Sequence, residues 1–507
     1  MGTRIRDIAN PETASPETDR QILTRIVLWA FAFKLFLAVA LPLGVDEAYA
    51  IAVARDYSLS FFDHPPVSFW LPVAFADLTG LEHRIIYRLP FLVSGVATTL
   101  VMYLIGAAIG SVRVGVWTAL LYAISPFFLI SAGFLVVPDG TLNLASALAV
   151  LFLVKLARSD GQGPLRYWVF AGLALAVALG SKYQAAWIPV AVLAFMILTP
   201  KGRSWFFQLG PWLGGALGVL GLLPVILWNM QNDWASFAFQ TSRAGGGLQP
   251  LNLLVMFLGQ VLFLLPATMI AVVAGLRLTV AAPRRPELVL LSLIAVGPIV
   301  IFNYIYLTSE GSLAHWPMPG WQFALPLAAL WLTRQTEEAQ KRMLKVSGIS
   351  MAAIWVPLLI LVLHINTGVL TRFTHDRPPA WDNTLPLFGY DGLKDGLATR
   401  GLWQDADLFM ARGWTVAGQL DTALRAEKPM RISGAGTHHF KFLSDALATG
   451  TVLYLEPATL RNSGKADARA LKAARAFDPK AELLKPITLT RGGVAYATVS
   501  LVRFSLK

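Results

Sequence analysis

What most limits the folds open to this chain is a train of apolar runs, most of them roughly 17 to 25 residues long, from Ile22 to about His364. A helix of about 20 apolar residues crosses ~30 Å of hydrocarbon, and short polar stretches between such runs are what a polytopic membrane protein needs. The 507 residues are 55% hydrophobic and only 14% charged, and the mean hydropathy is +0.57, which excludes an ordinary soluble domain. About eleven spans are predicted, at 22–43, 86–109, 114–137, 140–157, 167–181, 183–199, 209–228, 251–276, 287–307, 318–333 and 346–365. The first run reads as a span rather than a signal peptide. "LAVA" before Leu41 offers a small-x-small site, but the preceding tail is long and carries Asp7, Glu12, Glu17 and Asp19.

Basic residues orient the spans. With the N-terminal tail (1–20) in the cytoplasm, seventeen Lys and Arg fall on the short cytoplasmic loops and tail, among them Arg4, Arg6, Arg113, Lys201, Arg285 and Lys345. The outer short loops receive four: Arg55, Arg84, Lys182 and Arg243. That asymmetry is the positive-inside pattern and makes the net charge of +12 a topology signal, with no nucleic-acid partner expected. The first loop, 44–85, then faces outward, and so does everything after the last span. Cysteine is absent, so disulfides and thiolate metal sites are excluded.

Past His364 the composition turns polar and rich in Pro, Gly and Asp, which reads as a linker followed by a small domain within 366–507. Amphipathic helices are predicted near 412–427, 437–449 and 464–477. Strands are predicted at "MRISG", "TVLYLE", "PITLTR" and "VAYATVSLVRF", the last two forming a hairpin across Gly492-Gly493. The expected fold class is therefore mostly α, a transmembrane domain over 21–365 with amphipathic helices in its first outer loop, joined to a small C-terminal α/β domain on the outer side.

Several polar clusters sit at the outer ends of these spans. Each has a plain structural reading. Asp46 or Asp63 caps a helix, Glu47 complements a helix dipole, Asp139 caps the fourth span, and Lys182 snorkels to the interface. Taken together, Asp46, Glu47, Asp63, His64, Asp139 and Lys182 come from three stretches assigned to one membrane face, where ionisable groups are costly and usually functional. Carboxylates beside a lysine and a histidine point to base chemistry next to an anion, and phosphate is the anion most natural there. The outer loop "WNMQNDWASFAFQTSRAGGGLQP" and the stretch "SEGSLAHWPMPGW", with Glu310 and His315, lie on the same face. A transporter or lipid flippase is the alternative, although it would put ionisable groups nearer the middle of the spans, where only Lys34 lies.

The order "DEAY", "FFDHPP", "PDG", "GSKY", "WNMQNDWASFAFQ" resembles the polytopic family 39 glycosyltransferases over roughly residues 25–330. That group includes the aminoarabinose and galacturonosyl transferases of bacterial lipopolysaccharide and is related to the protein O-mannosyltransferases. The resemblance implies a GT-C fold and a polyprenyl-phosphate-linked sugar donor. It further implies a lipid or glycan acceptor in the cell envelope and an active site on the periplasmic face of the inner membrane. By position, Asp46 matches the catalytic base, with Glu47 beside it, and Asp139 a second acidic position. Lys182 matches a cation on the donor phosphate, His64 falls where relatives have another phosphate-binding lysine, and Arg243 of the outer loop joins them as an expected phosphate contact. A histidine at 64 makes phosphate binding more dependent on pH. Asn232 stands where a metal-ligating histidine is expected, which leaves Asp63 and His315 as possible ligands of a divalent ion.

Overall fold

The computed structural model describes residues 16–506 apart from 160, 243–246, 282–283, 310–311, 375–376, 379, 389, 425–427 and 444–448. The chain divides into two compact units. One holds the stretches up to Phe36, Ser58–Ser68 and Arg88–Ile354, and the other holds Leu37–Tyr57, Phe69–Tyr87 and Trp355–Lys507.

The first unit is helical. Among the described residues, six helices are long and apolar enough to cross a membrane: Glu17–Ala40, Arg84–Ile109, Pro138–Arg158, Leu209–Gln231, Pro286–Thr308 and Glu337–Thr367. The number rises to eight if each of two bent pairs is one span. By length and composition this is fewer than the expected eleven, because several apolar runs form shorter helices. Val112–Ile124, Leu165–Leu179 and Met318–Leu332 have 13, 15 and 15 residues. The predicted span 251–276 is broken into Pro250–Leu264 and Pro266–Ala281, bent by 98°. Leu265 between them has φ 73°, and the proline after it disfavours the helical conformation at Leu265. The expected span 114–137 likewise ends at Ile124, before Ser125-Pro126.

Small residues let these helices approach closely, as in other membrane bundles. A Cβ on Gly172 would lie 2.5 Å from the carbonyl oxygen of Gly214, so Leu165–Leu179 and Leu209–Val219 meet backbone to backbone. Lys34 does not snorkel. Its fully buried ammonium donates to the Gly95 carbonyl at 2.9 Å and lies 5.9 Å from the centre of the Tyr122 ring.

The second unit carries a five-stranded sheet of order β2-β1-β3-β5-β4: β1 Leu408–Ala411, β2 Met430–Ile432, β3 Gly450–Thr459, β4 Glu482–Arg491 and β5 Val494–Leu506. β1 runs parallel to both β2 and β3, and β5 is antiparallel to β3 and β4. The expected hairpin is present, with Arg491 opposite Val494 and both intervening glycines at positive φ, 54° and 80°. Helix Ser463–Arg475 packs on the sheet through Ala466, Ala470 and Ala474, a four-residue spacing that lines one helix face. Two expectations are corrected. The helix near 437–449 is a short 3₁₀ turn, His438–Phe442, with 444–448 outside the described residues, and β1 was not foreseen.

Candidate functional site

Within the first unit, four stretches distant in sequence are tied together by hydrogen bonds. The loop carrying Asp63 and His64 is folded on itself by the Phe61 N–H donating to the His64 carbonyl at 3.2 Å. Asp63 does not start the following helix as its cap. The Val67 N–H at that helix start donates instead to the Gly180 carbonyl at 2.9 Å, drawing the loop onto the turn that holds Lys182. The Asp63 carbonyl accepts from Gln240 Nε2 at 2.5 Å, and Phe62 meets Phe239 with ring centroids 4.7 Å apart. The helix Ala235–Ser242 is thereby held against the same loop.

The centre of this arrangement is an ion pair. Lys182 Nζ donates to Asp139 Oδ1 at 2.9 Å, with Lys182 only 7% and Asp139 only 4% exposed. Neither residue plays its plain structural part: Val137 is the N-cap of Pro138–Arg158, and Lys182 turns into the protein rather than out to the interface. Burial of two charges is tolerable only where they pair and hydrogen-bond. His64 and His315 are close enough to act electrostatically on the Asp139 carboxylate, and the His315 ring stacks on Phe127 at 6.0 Å between centroids. Thr141, one turn into the Asp139 helix, shares a 2.7 Å hydrogen bond with Ser68. Asp63, His64, Asp139, Lys182 and His315 are thus gathered by one network, whereas Arg243 lies outside the described residues.

Asn232, at the position where a histidine was expected, donates through Nδ2 to the Trp228 carbonyl at 2.8 Å and so closes its own helix end. Asp233 and Trp234 after it both have left-handed backbone, φ 51° and 58°. Among the described residues no group of three or more His, Asp or Glu is arranged to hold a metal ion, and Asp63 with His315 would supply two donors.

Sequence reasoning missed three contributors, Tyr183, Ser236 and Asn229, and, elsewhere in the first unit, a buried arginine. The Tyr183 hydroxyl hydrogen-bonds Ser236 Oγ at 2.7 Å, and the Ser236 N–H donates to Asn229 Oδ1 at 3.1 Å, joining the lysine turn to the "WNMQNDWASF" segment. Arg88 is buried, its guanidinium 5.5 Å from the centre of the Phe134 ring. An arginine inside an apolar run was the available signal.

The "DEAY" segment belongs to the second unit, where it begins the helix Val45–Ala54. Gly44 is the N-cap, and its N–H donates to Glu47 Oε2 at 2.8 Å. This corrects the capping expectation. Glu47, only 2% exposed, closes the helix start, while Asp46, one residue inside the first turn, is exposed.

Residues 63–228 match the family of dolichyl-phosphate-mannose-protein mannosyltransferases, a stretch that holds Asp63, His64, Asp139 and Lys182. Solved membrane-protein structures share the fold. ArnT from Cupriavidus metallidurans bound to undecaprenyl phosphate superposes with a TM-score of 0.62 at 15% identity, over 94% of this chain and 97% of that one. The chain has the GT-C fold. Apo ArnT from the same organism gives 0.59 at 16% identity over 94% and 98% of the two chains. The Archaeoglobus fulgidus oligosaccharyltransferase in complex with Zn and sulfate gives 0.50 at 13% identity over 93% and 72%. No curated protein matches by sequence. The protein is therefore polytopic and mostly helical, with a small sheet-containing C-terminal domain, in keeping with the expected fold class.

Proposed function

We propose that this protein is a glycosyltransferase that takes its sugar from a polyprenyl-phosphate donor and passes it to a hydroxyl or phosphate of a cell-envelope acceptor, such as lipid A, lipopolysaccharide core or another glycolipid. The reaction takes place at the periplasmic face of the bacterial inner membrane. The observation that carries this reading is the buried Asp139–Lys182 pair with His64 and His315 around it at the ends of apolar helices. The similarity of the fold to ArnT, whose structure contains undecaprenyl phosphate, supports the donor class.

The chemistry divides into two tasks. A phosphate leaving group departs with its own negative charge, so its loss is eased by cations at its oxygens rather than by a general acid. Lys182 and His64 take that role, with Arg243 as a further contact. Lys182 is held ready by Asp139, which shares the ammonium until a phosphate competes for it. The second task is activation of a poor nucleophile, and an exposed carboxylate in a first helical turn suits it. Asp46 takes the acceptor proton as the acceptor oxygen bonds to the anomeric carbon. The carbon–oxygen bond to phosphate breaks, its electron pair leaves with the polyprenyl phosphate, and the anomeric centre is inverted. Glu47 keeps the helix start in shape.

Purified enzyme in lipid nanodiscs, given a panel of polyprenyl-phosphate sugars and an envelope lipid extract, tests this reading. Transfer from at least one such donor is expected, with the product's anomeric configuration opposite to the donor's. Transfer that needs a nucleotide sugar instead, or retention of configuration, would overturn it. Mass spectrometry of lipid A, core and surface glycans with and without the gene identifies the acceptor.

A further inference from the structure

The second unit joins the helix Val45–Ala54 to the C-terminal domain more tightly than a tethered outer domain requires. Helix Trp414–Leu424 crosses it with no side chain between them at Gly418. A Cβ there would sit 2.7 Å from Tyr49 Cα and 2.8 Å from Tyr49 N, so any larger residue forces the two backbones apart. Tyr49 itself is buried in an aromatic box, with ring centroids 5.0 Å from Trp414, 5.9 Å from His438, 6.0 Å from Phe440 and 6.2 Å from Phe69. Its hydroxyl accepts the His439 backbone N–H at 3.0 Å. At the other end of the short helix, Arg55 Nε lies 3.3 Å from Asp421 Oδ1, and the same guanidinium pairs with Glu82.

Tyr49 and Arg55 are six residues apart, about 9 Å along a helix axis. Two anchors at that separation fix the position of a ten-residue helix along its axis and its rotation about it. Asp46 lies one turn before Tyr49. On the reading that Asp46 is the general base, we propose that the C-terminal domain is a positioning element for Asp46. It acts through the Gly418–Tyr49 backbone contact, the hydroxyl bond to His439 and the Arg55–Asp421 pair. Gly418, Tyr49 and Asp421 touch neither donor nor acceptor in this role. They set where the carboxylate of Asp46 stands, and a displacement of about 1 Å in such a group is worth on the order of 10²-fold in rate.

The test pairs Gly418→Ala with Tyr49→Phe, each made in the full-length enzyme and again together with Asp46→Asn. Gly418→Ala is expected to lower kcat about 10- to 100-fold with the donor KM unchanged, and Tyr49→Phe, which keeps the ring and loses one hydrogen bond, by a smaller factor in the same direction. In the Asp46→Asn background neither change is expected to lower the residual rate further, because a residue that acts through Asp46 is silent once the base is gone. Equal losses in both backgrounds mean general damage and would overturn the positioning role, as would full kcat in both single variants. If Gly418→Ala does not fold, Tyr49→Phe alone still decides. Should Asp46→Asn by itself retain normal turnover, the general-base reading fails, an outcome separate from failure of the positioning role.

Discussion

Replacing Lys182 by alanine is expected to damage the fold and the reaction together, and a neutral pair separates the two effects. Lys182 and Asp139 are both buried and bonded at 2.9 Å. Removing one member leaves the other charge uncompensated in a low-dielectric interior, which costs about 3–5 kcal/mol. At the 2–4 °C per kcal/mol typical of larger domains, the thermal midpoint should fall by roughly 10 °C. The double change Lys182→Gln with Asp139→Asn removes both charges yet leaves an amide donor and a carbonyl acceptor. It should recover the lost stability to within about 1 kcal/mol, since neutral replacement of a buried ion pair is often nearly free. It should not recover sugar transfer, because the lysine cation proposed to hold the donor phosphate is gone. Thermal midpoints by fluorescence in nanodiscs, with initial rates at limiting and saturating donor, give both numbers. A neutral pair that transfers at the normal rate would refute the phosphate role, and a stable Lys182→Ala would refute the buried pair.

Three further outcomes are expected. Glu47→Gln should lower stability by about 1 kcal/mol, because it weakens the bond from the Gly44 N–H, and should reduce turnover less than a change at Asp46 does; thermal midpoints with rates check both. The Asp421 carboxyl is pushed up from 3.8 to about 6, chiefly by burial, with Arg55 opposing and Glu82 adding to the rise. Its contribution to stability is therefore full below about pH 4 and is lost as pH rises through about 6. Thermal midpoints at intervals from pH 4 to 7 should show a decline in the wild type that Asp421→Asn lacks. Gly172→Val should destabilise the bundle by more than 1 kcal/mol, because its Cβ would lie 2.5 Å from the Gly214 carbonyl oxygen, and thermal midpoints in detergent report it.

The membrane class and the sheet hairpin were legible because both rest on local pattern: runs long enough to cross a bilayer, and a Gly-Gly turn between alternating strands. The break at Leu265 was legible too, since the residue before a proline resists helix, but hydropathy averaged over a window hides it. β1 escaped because a four-residue strand buried on both faces, "LFMA", shows no alternation. Asp139 and Lys182 were each visible as ionisable groups at span ends. Their pairing across 43 residues was not, because helix packing decides which ends meet. Gly44 rather than Asp46 is the N-cap because the helix begins at Val45, two residues earlier than a cap at Asp46 implies, and helix boundaries are the least readable feature of a sequence.

The most direct measurement is sugar transfer by Asp46→Asn in purified protein, with the thermal midpoint recorded on the same sample. Because Glu47 holds the N-cap N–H of Gly44 and Asp46 is exposed, the variant should keep its thermal midpoint. Loss of a general base should lower turnover about 10²–10⁴-fold while donor KM stays near normal. A stable Asp46→Asn enzyme that transfers sugar at the wild-type rate would contradict the account.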